Sequence, residues 1–181
     1  MTTSDLKLVG YFPKDTAVPP DWSAAVHVKE ICSVSSCVNA SPPGCFEHGL
    51  NNEWGFFNTP EDAAMVAATG NGKYTIFGYR VLPVRYAKGG AKPFVIPELP
   101  VEPLGPGFTS LGFDVASKSK HAFVECSPLS CNLIAAEIAV NQFCLIDEFH
   151  QAVAFAERCG REQPEPGTYY VLEVLRESPA G

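Results

Sequence analysis

The sequence has no long apolar run; its hydrophobic stretches fall far short of the ~20 residues that a membrane-spanning helix needs. The opening MTTSDLKLVG lacks a basic segment followed by an apolar one, so it does not read as a secretory signal. These two absences lead us to expect a cytoplasmic protein with no membrane anchor. Basic clusters are also missing. With 13 Lys+Arg against 20 Asp+Glu, a net charge of −7, binding to a nucleic-acid backbone has no electrostatic basis. The acidity suits solubility, or a basic protein partner.

Familiar catalytic signatures are absent too. There is no C-x-x-C, H-E-x-x-H, G-x-S-x-G or dinucleotide fingerprint. TGNGKYT (69–75) contains the Gly-Lys of a phosphate loop, but Ala67 stands where that loop needs glycine and Tyr74 where it needs Ser or Thr. It reads instead as a helix end followed by an Asn-Gly turn.

What the chain does have is material for a core, 46% hydrophobic residues against 18% charged, and seven cysteines. An odd count cannot pair completely. In a reducing compartment such cysteines are thiols, metal ligands or nucleophiles rather than staples.

Two of the cysteine pairs are written alike. HVKEICSVSSC (27–37) aligns without a gap on HAFVECSPLSC (121–131), with five of eleven positions identical. Further along, NNEWGFFNTPEDAAMVAATG (51–70) parallels VNQFCLIDEFHQAVAFAERCG (140–160). KYTIFGYRVL (73–82) parallels TYYVLEVLRE (168–177), and LVGYF (8–12) parallels SLGFD (110–114). Similar elements in the same order point to tandem duplication.

The expected fold is therefore α+β: two similar halves, 8–86 and 108–178, each strand–strand–loop–strand–helix–strand. A pseudo-twofold would relate them within a single domain spanning 1–181. A strand–helix–strand crossover in each half predicts parallel neighbours and a mixed sheet. The first helix has a start signal in Thr59 and Pro60, with Glu61 and Asp62 near the positive end of its dipole. The second starts at Asp147, with Phe149, Val153 and Ala156 at helical spacing. Gly70 and Gly160 supply left-handed C-caps. Residues 87–107, with five prolines and four glycines, form an extended linker.

For the repeated loops, parity is informative. Residues of odd separation on a strand face opposite ways, so His27 and Cys32, or His121 and Cys126, diverge. Cys32 and Cys37 diverge as well unless Ser33–Ser36 turns.

Several chemistries then compete. Cys32, Cys37, Cys126 and Cys131 would give four thiolates between the halves, suited to zinc or an iron–sulfur cluster. Thiol catalysis would use Cys126 or Cys131, with Glu125 adjacent and His48, His121 or His150 brought near by folding. Ser33, Ser36, Ser127 and Ser130 could bind a small polar ligand through hydroxyls and loop amides. His48 and Trp54, in the polar-aromatic loop 42–54, could line a pocket. The plainest alternative is structural: small buried cysteines, and serines that satisfy turns. The resulting expectation is a non-catalytic binding protein that recognises a basic protein, like an antidote or immunity factor. The runner-up is a cysteine- or metal-dependent enzyme with its site between the halves.

Overall fold

A computed structural model describes residues 1–19, 27–46, 49–119, 126–132 and 134–177. The fold is α+β. Five strands, β1 (Lys7–Lys14), β2 (Thr75–Ala87), β3 (Gly90–Pro93), β4 (Phe108–Lys118) and β5 (Thr168–Glu177), form one sheet. The order is β1-β2-β5-β4, and β3 adds to β2 as a hairpin. Among the described residues three α-helices accompany it: α1 (Pro60–Ala67), α2 (Pro128–Cys131) and α3 (Phe149–Glu162). Among the described residues no helix is long and apolar enough to cross a membrane.

The sheet is buried on both faces because its strands alternate two apolar sets. In β5, Tyr169 and Val171 enter a core with Leu82, Phe113, Phe155 and Cys159, which α3 covers. Leu172 and Val174 enter a second core with Tyr11, Phe57, Phe77 and Tyr79. Ala63 and Val66 of α1 join that second core, and the linker packs Phe94, Ile96, Leu99, Val101 and Leu104 against it. Burying each such large side chain contributes roughly 1.5–3 kcal/mol, so two half-covered faces would be costly to expose.

Every strand pairing among the described residues is antiparallel, which corrects the expected mixed sheet. The segment before α1 forms no strand among the described residues; its one bridge to the sheet is antiparallel, Phe57 to Tyr11, on the side of β1 away from β2, and Phe57 also bridges Asn51. It does run in the same direction as β2, but β1 lies between them. Among the described residues the second strand expected in the first half is also absent. Residues 27–32 are irregular and are pinned by Lys29 N–H and Glu30 N–H to Gln142 O, and by Cys32 N–H to Phe143 O.

Thr59 caps α1 as its position predicts, its hydroxyl accepting from Asp62 N–H at 3.1 Å. The end of α3 differs from expectation. Gly160 is inside the helix, which continues to Glu162 and ends on left-handed Gln163. A Cβ at 160 would lie 2.9 Å from Ala87 N and 3.0 Å from Tyr86 C, so this glycine allows helix and strand to touch. The linker region begins with the β2–β3 hairpin, and residues 94–105 carry no regular element.

β1 and β4 each contain a bulge, at Gly10 (φ +137°) and Gly112 (φ +131°). A Cβ at Gly10 would lie 2.6 Å from Phe57 O, and one at Gly112 would lie 2.9 Å from Ile146 O. Each glycine thus lets a following loop sit directly on the strand. These matches are local and do not establish the pseudo-twofold of whole halves: α1 has 8 residues and α3 has 14.

Candidate functional site

The site is built around two charges embedded in strands. Asp114 of β4 is fully buried. Its Oδ2 accepts from Ser33 Oγ (2.9 Å) and Val34 N–H (2.8 Å); its Oδ1 accepts from Val115 N–H (2.8 Å) and Ser127 Oγ (2.5 Å). Burial raises its pKa, and the four hydrogen bonds oppose that rise. Since all four partners donate, the network is arranged for a carboxylate.

Lys14, at the end of β1, is equally buried and donates from Nζ to Ser33 O (3.0 Å) and Ser35 O. Burial lowers its pKa to about 8, against the opposing pull of Asp114, Cys131, Cys37 and Cys32. Asp114 and Lys14 therefore hold the same short loop from different strands. Within it, Ser33 Oγ accepts from Ser35 N–H (3.2 Å), and Ser35 Oγ accepts from Cys37 N–H (3.1 Å). Such serine turns replace the ladder bonds a strand would have supplied.

The facing loop is fixed just as closely. Ser117 N–H donates to Cys126 O (2.7 Å), which ties the loop to β4. Ser127 O accepts from Ser130 N–H (3.1 Å) and Cys131 N–H (2.8 Å), closing α2 behind Pro128. Ser130 Oγ donates to Ser33 Oγ at 3.0 Å, joining the two loops.

This framework brings Cys37, Cys126 and Cys131 together, with all three sulfurs within 4.8 Å of one another. Cys37 Sγ lies 3.2 Å from Cys126 Sγ, and Cys131 Sγ lies 3.2 Å from Ser35 Oγ. Cys37 is exposed and the other two are half-buried. Burial alone would raise the Cys37 pKa, but hydrogen bonds from Ser35, Cys131 and Cys126 outweigh it and lower that pKa. Burial raises Cys126 and Cys131 instead. The Cys37 pKa is thus shifted down and those of its two neighbours up.

Cys32 is not part of it, which corrects the four-thiolate arrangement. It is fully buried in the same core as Val9, Tyr79 and Trp54, and burial pushes its pKa up to about 12. The Ser33–Ser36 turn carries Cys37 out to the cluster and leaves Cys32 in the core. Nor do Cys32 and Cys126 occupy matching places, since Cys126 is half-buried at the cluster.

The remaining candidates divide. Ser33, Ser127 and Ser130 are buried in the Asp114 network. Ser36 is exposed and pairs with Ser41 Oγ at 2.8 Å. Trp54 is a core residue between Phe94 and Tyr170, with Lys118 Nζ 5.6 Å from its ring centre. His48, His121 and Glu125 lie outside the described residues. Lys14, Asp114 and Ser35 escaped the sequence reading. The available signal was a lone charge in each of two apolar strands, LVGYFPK and LGFDVAS. Two clefts, about 310 and 340 Å³, lie elsewhere: one beside Ile138 and Phe155, the other beside Tyr86 and Arg161.

No protein-family model matches this chain, and comparison with characterised proteins and with solved structures gives no match.

Proposed function

We propose that the protein binds a thiophilic metal ion, with zinc as the reference case, through Cys37, Cys126 and Cys131. The observation that supports this reading is the mutual 4.8 Å limit on the three sulfurs. Ligands on a tetrahedral zinc ion, with Zn–S near 2.3 Å, stand about 3.8 Å apart, so small side-chain rotations suffice. Soft thiolates favour zinc or Cu(I) over hard cations. Three protein donors leave a fourth coordination position for water or another ligand, the arrangement of sites that exchange or activate something.

Lys14 and Asp114 contribute through the loop. Lys14 anchors the carbonyls of Ser33 and Ser35, and Asp114 anchors Ser33 and Val34, so Cys37 is held in place without a strand. The positive charge of Lys14 also offsets part of the charge that three thiolates would bring. An iron–sulfur cluster held by four protein thiolates is not proposed, because Cys32 is elsewhere. The reading as a partner for a basic protein rests on the net charge of −7 alone.

The test is titration of the reduced protein with zinc against a chromophoric chelator, with elemental analysis of the protein as purified. One equivalent should bind, and C37S, C126S and C131S should each weaken it by at least about tenfold, on the scale that even indirect ligand perturbations reach. Failure to bind zinc or Cu(I), or an equal loss in C32S, would overturn the reading.

A further inference from the structure

We infer that Cys37 and Cys126 form a nucleophile–resolver pair for thiol–disulfide exchange, with small disulfides of the glutathione type as the substrate class. The inference uses thiols of the proposed metal site but needs no metal. It therefore stands or falls separately.

Exchange requires an accessible thiolate and a second thiol within bonding reach. Access singles out Cys37, which is exposed; Cys32, Cys45, Cys144 and Cys159 are buried, and Cys126 and Cys131 are half-buried. Its surroundings agree. Cys37 Sγ can accept from Cys126 Sγ at 3.2 Å, and its own N–H is held by Ser35 Oγ, so the loop does not need to rearrange to present it. Both neighbouring sulfurs lie within 4.8 Å of Cys37 Sγ. The resolver is assigned to Cys126, which stands at 3.2 Å, because Cys131 is also engaged with Ser35 Oγ at 3.2 Å.

The chemistry balances in two steps. Cys37 thiolate attacks one sulfur of the small disulfide, forming a protein mixed disulfide and releasing one small thiolate. Cys126 then gives up its proton to that thiolate or to water and attacks Cys37 Sγ. The Cys37–Cys126 disulfide forms and the second small thiolate leaves, taking a proton from water. The protein dithiol has lost two electrons and the small disulfide has gained them. In the oxidised form two of the three metal donors are bonded to each other, so metal binding and oxidation exclude one another.

The experiment treats metal-free, reduced, full-length protein with glutathione disulfide in the presence of a chelator. Samples are quenched with acid and mapped by peptide mass spectrometry. Wild type should lose two alkylatable thiols, carry a Cys37–Cys126 link and retain no glutathione. C126S should instead accumulate glutathione on Cys37, and C37S should react several-fold more slowly than wild type. Should C126S fail to fold, early time points on wild type serve the same purpose, since the Cys37 adduct must precede the link. Glutathione first on Cys126 or Cys131, a Cys37–Cys131 link in wild type, or equal rates for wild type and C37S would each overturn the assignment. Zinc titration of the same reduced stock reports on the metal reading independently.

Discussion

Asn52 and Asn141 make matching sets of hydrogen bonds above the two glycine bulges. Asn52 Nδ2 donates to Val9 O (2.9 Å) and Asn58 Oδ1 (3.0 Å), while its Oδ1 accepts from the amides of Trp54 (2.9 Å) and Phe56 (3.4 Å). Asn141 Nδ2 donates to Leu111 O (2.8 Å) and Asp147 Oδ1 (2.7 Å), and its Oδ1 accepts from Phe143 (2.9 Å) and Leu145 (3.3 Å). Both carboxamides join a bulged strand to the loop that leads into a helix. Truncating either to alanine leaves part-buried backbone groups unpaired, at about 1–3 kcal/mol each variant. N52A and N141A should therefore lose similar stability in urea unfolding. A loss confined to one would show that the two loops carry unequal weight.

The likeness of these loops was legible in the sequence because each starts from an asparagine and runs through a short apolar stretch into a helix. Even the left-handed position is shared, by Gly55 (φ +80°) and Cys144 (φ +60°). The Thr59–Pro60 helix start was legible for the same reason: capping is decided by residues adjacent in the chain. What escaped was whatever depends on distant partners. Gly160 carries a local C-cap signal, yet its role is set by Tyr86 and Ala87 on another strand. Lys14 and Asp114 look like ordinary strand charges until two loops fold over them. Three of the four thiols expected to meet do so; the fourth, Cys32, lies in the core, where the irregular path of residues 27–32 leaves it.

Gly160 yields a prediction in which two effects oppose. Alanine gains up to about 1 kcal/mol of helix propensity over glycine. Its Cβ, however, would press on backbone at 2.9–3.0 Å, and backbone cannot swing aside as a long side chain can. Overpacking typically costs about 1–3 kcal/mol, so G160A should be net destabilised in urea or heat. A stabilised variant would mean that α3 shifts freely on the sheet.

Zinc affinity should rise with pH. Cys126 and Cys131 have raised pKa values and hold protons at neutral pH, and metal binding must displace them. The logarithm of the affinity should climb with a slope of about two protons per ion or more. Chelator competition repeated across neutral pH measures that slope. A flat profile would be incompatible with thiolate ligands.

Cys32 separates fold from site. Serine there places a hydroxyl in an apolar core, where imperfect pairing costs about 1–3 kcal/mol. C32S should lower the urea midpoint while leaving zinc affinity and the glutathione reaction of the folded protein unchanged. C37S should do the reverse, since Cys37 is exposed and contributes little to the core.

Lys14 makes the alkaline behaviour of the protein predictable in sign. Its pKa is about 8 in the fold against 10.5 for the free side chain, so between these values the unfolded chain holds a proton that the native state has lost. Stability linked to this group therefore rises with pH through that window, and below about 8 the full cost of burying the ammonium remains. Cys32 and Tyr11, both raised to about 12, act oppositely: their contribution is lost as pH climbs past their unfolded values. A wild-type profile alone mixes these trends. Comparison with K14M removes most of the mixture, because the acids are common to both proteins. Methionine keeps the length of the stem but cannot donate to Ser33 O or Ser35 O. The stability of wild type relative to K14M should increase by something of the order of 3 kcal/mol between pH 8 and pH 10.5, measured by urea unfolding under reductant. A difference that stays constant across that window would show that Lys14 titrates as though exposed, and that the carbonyl cage around it does not form.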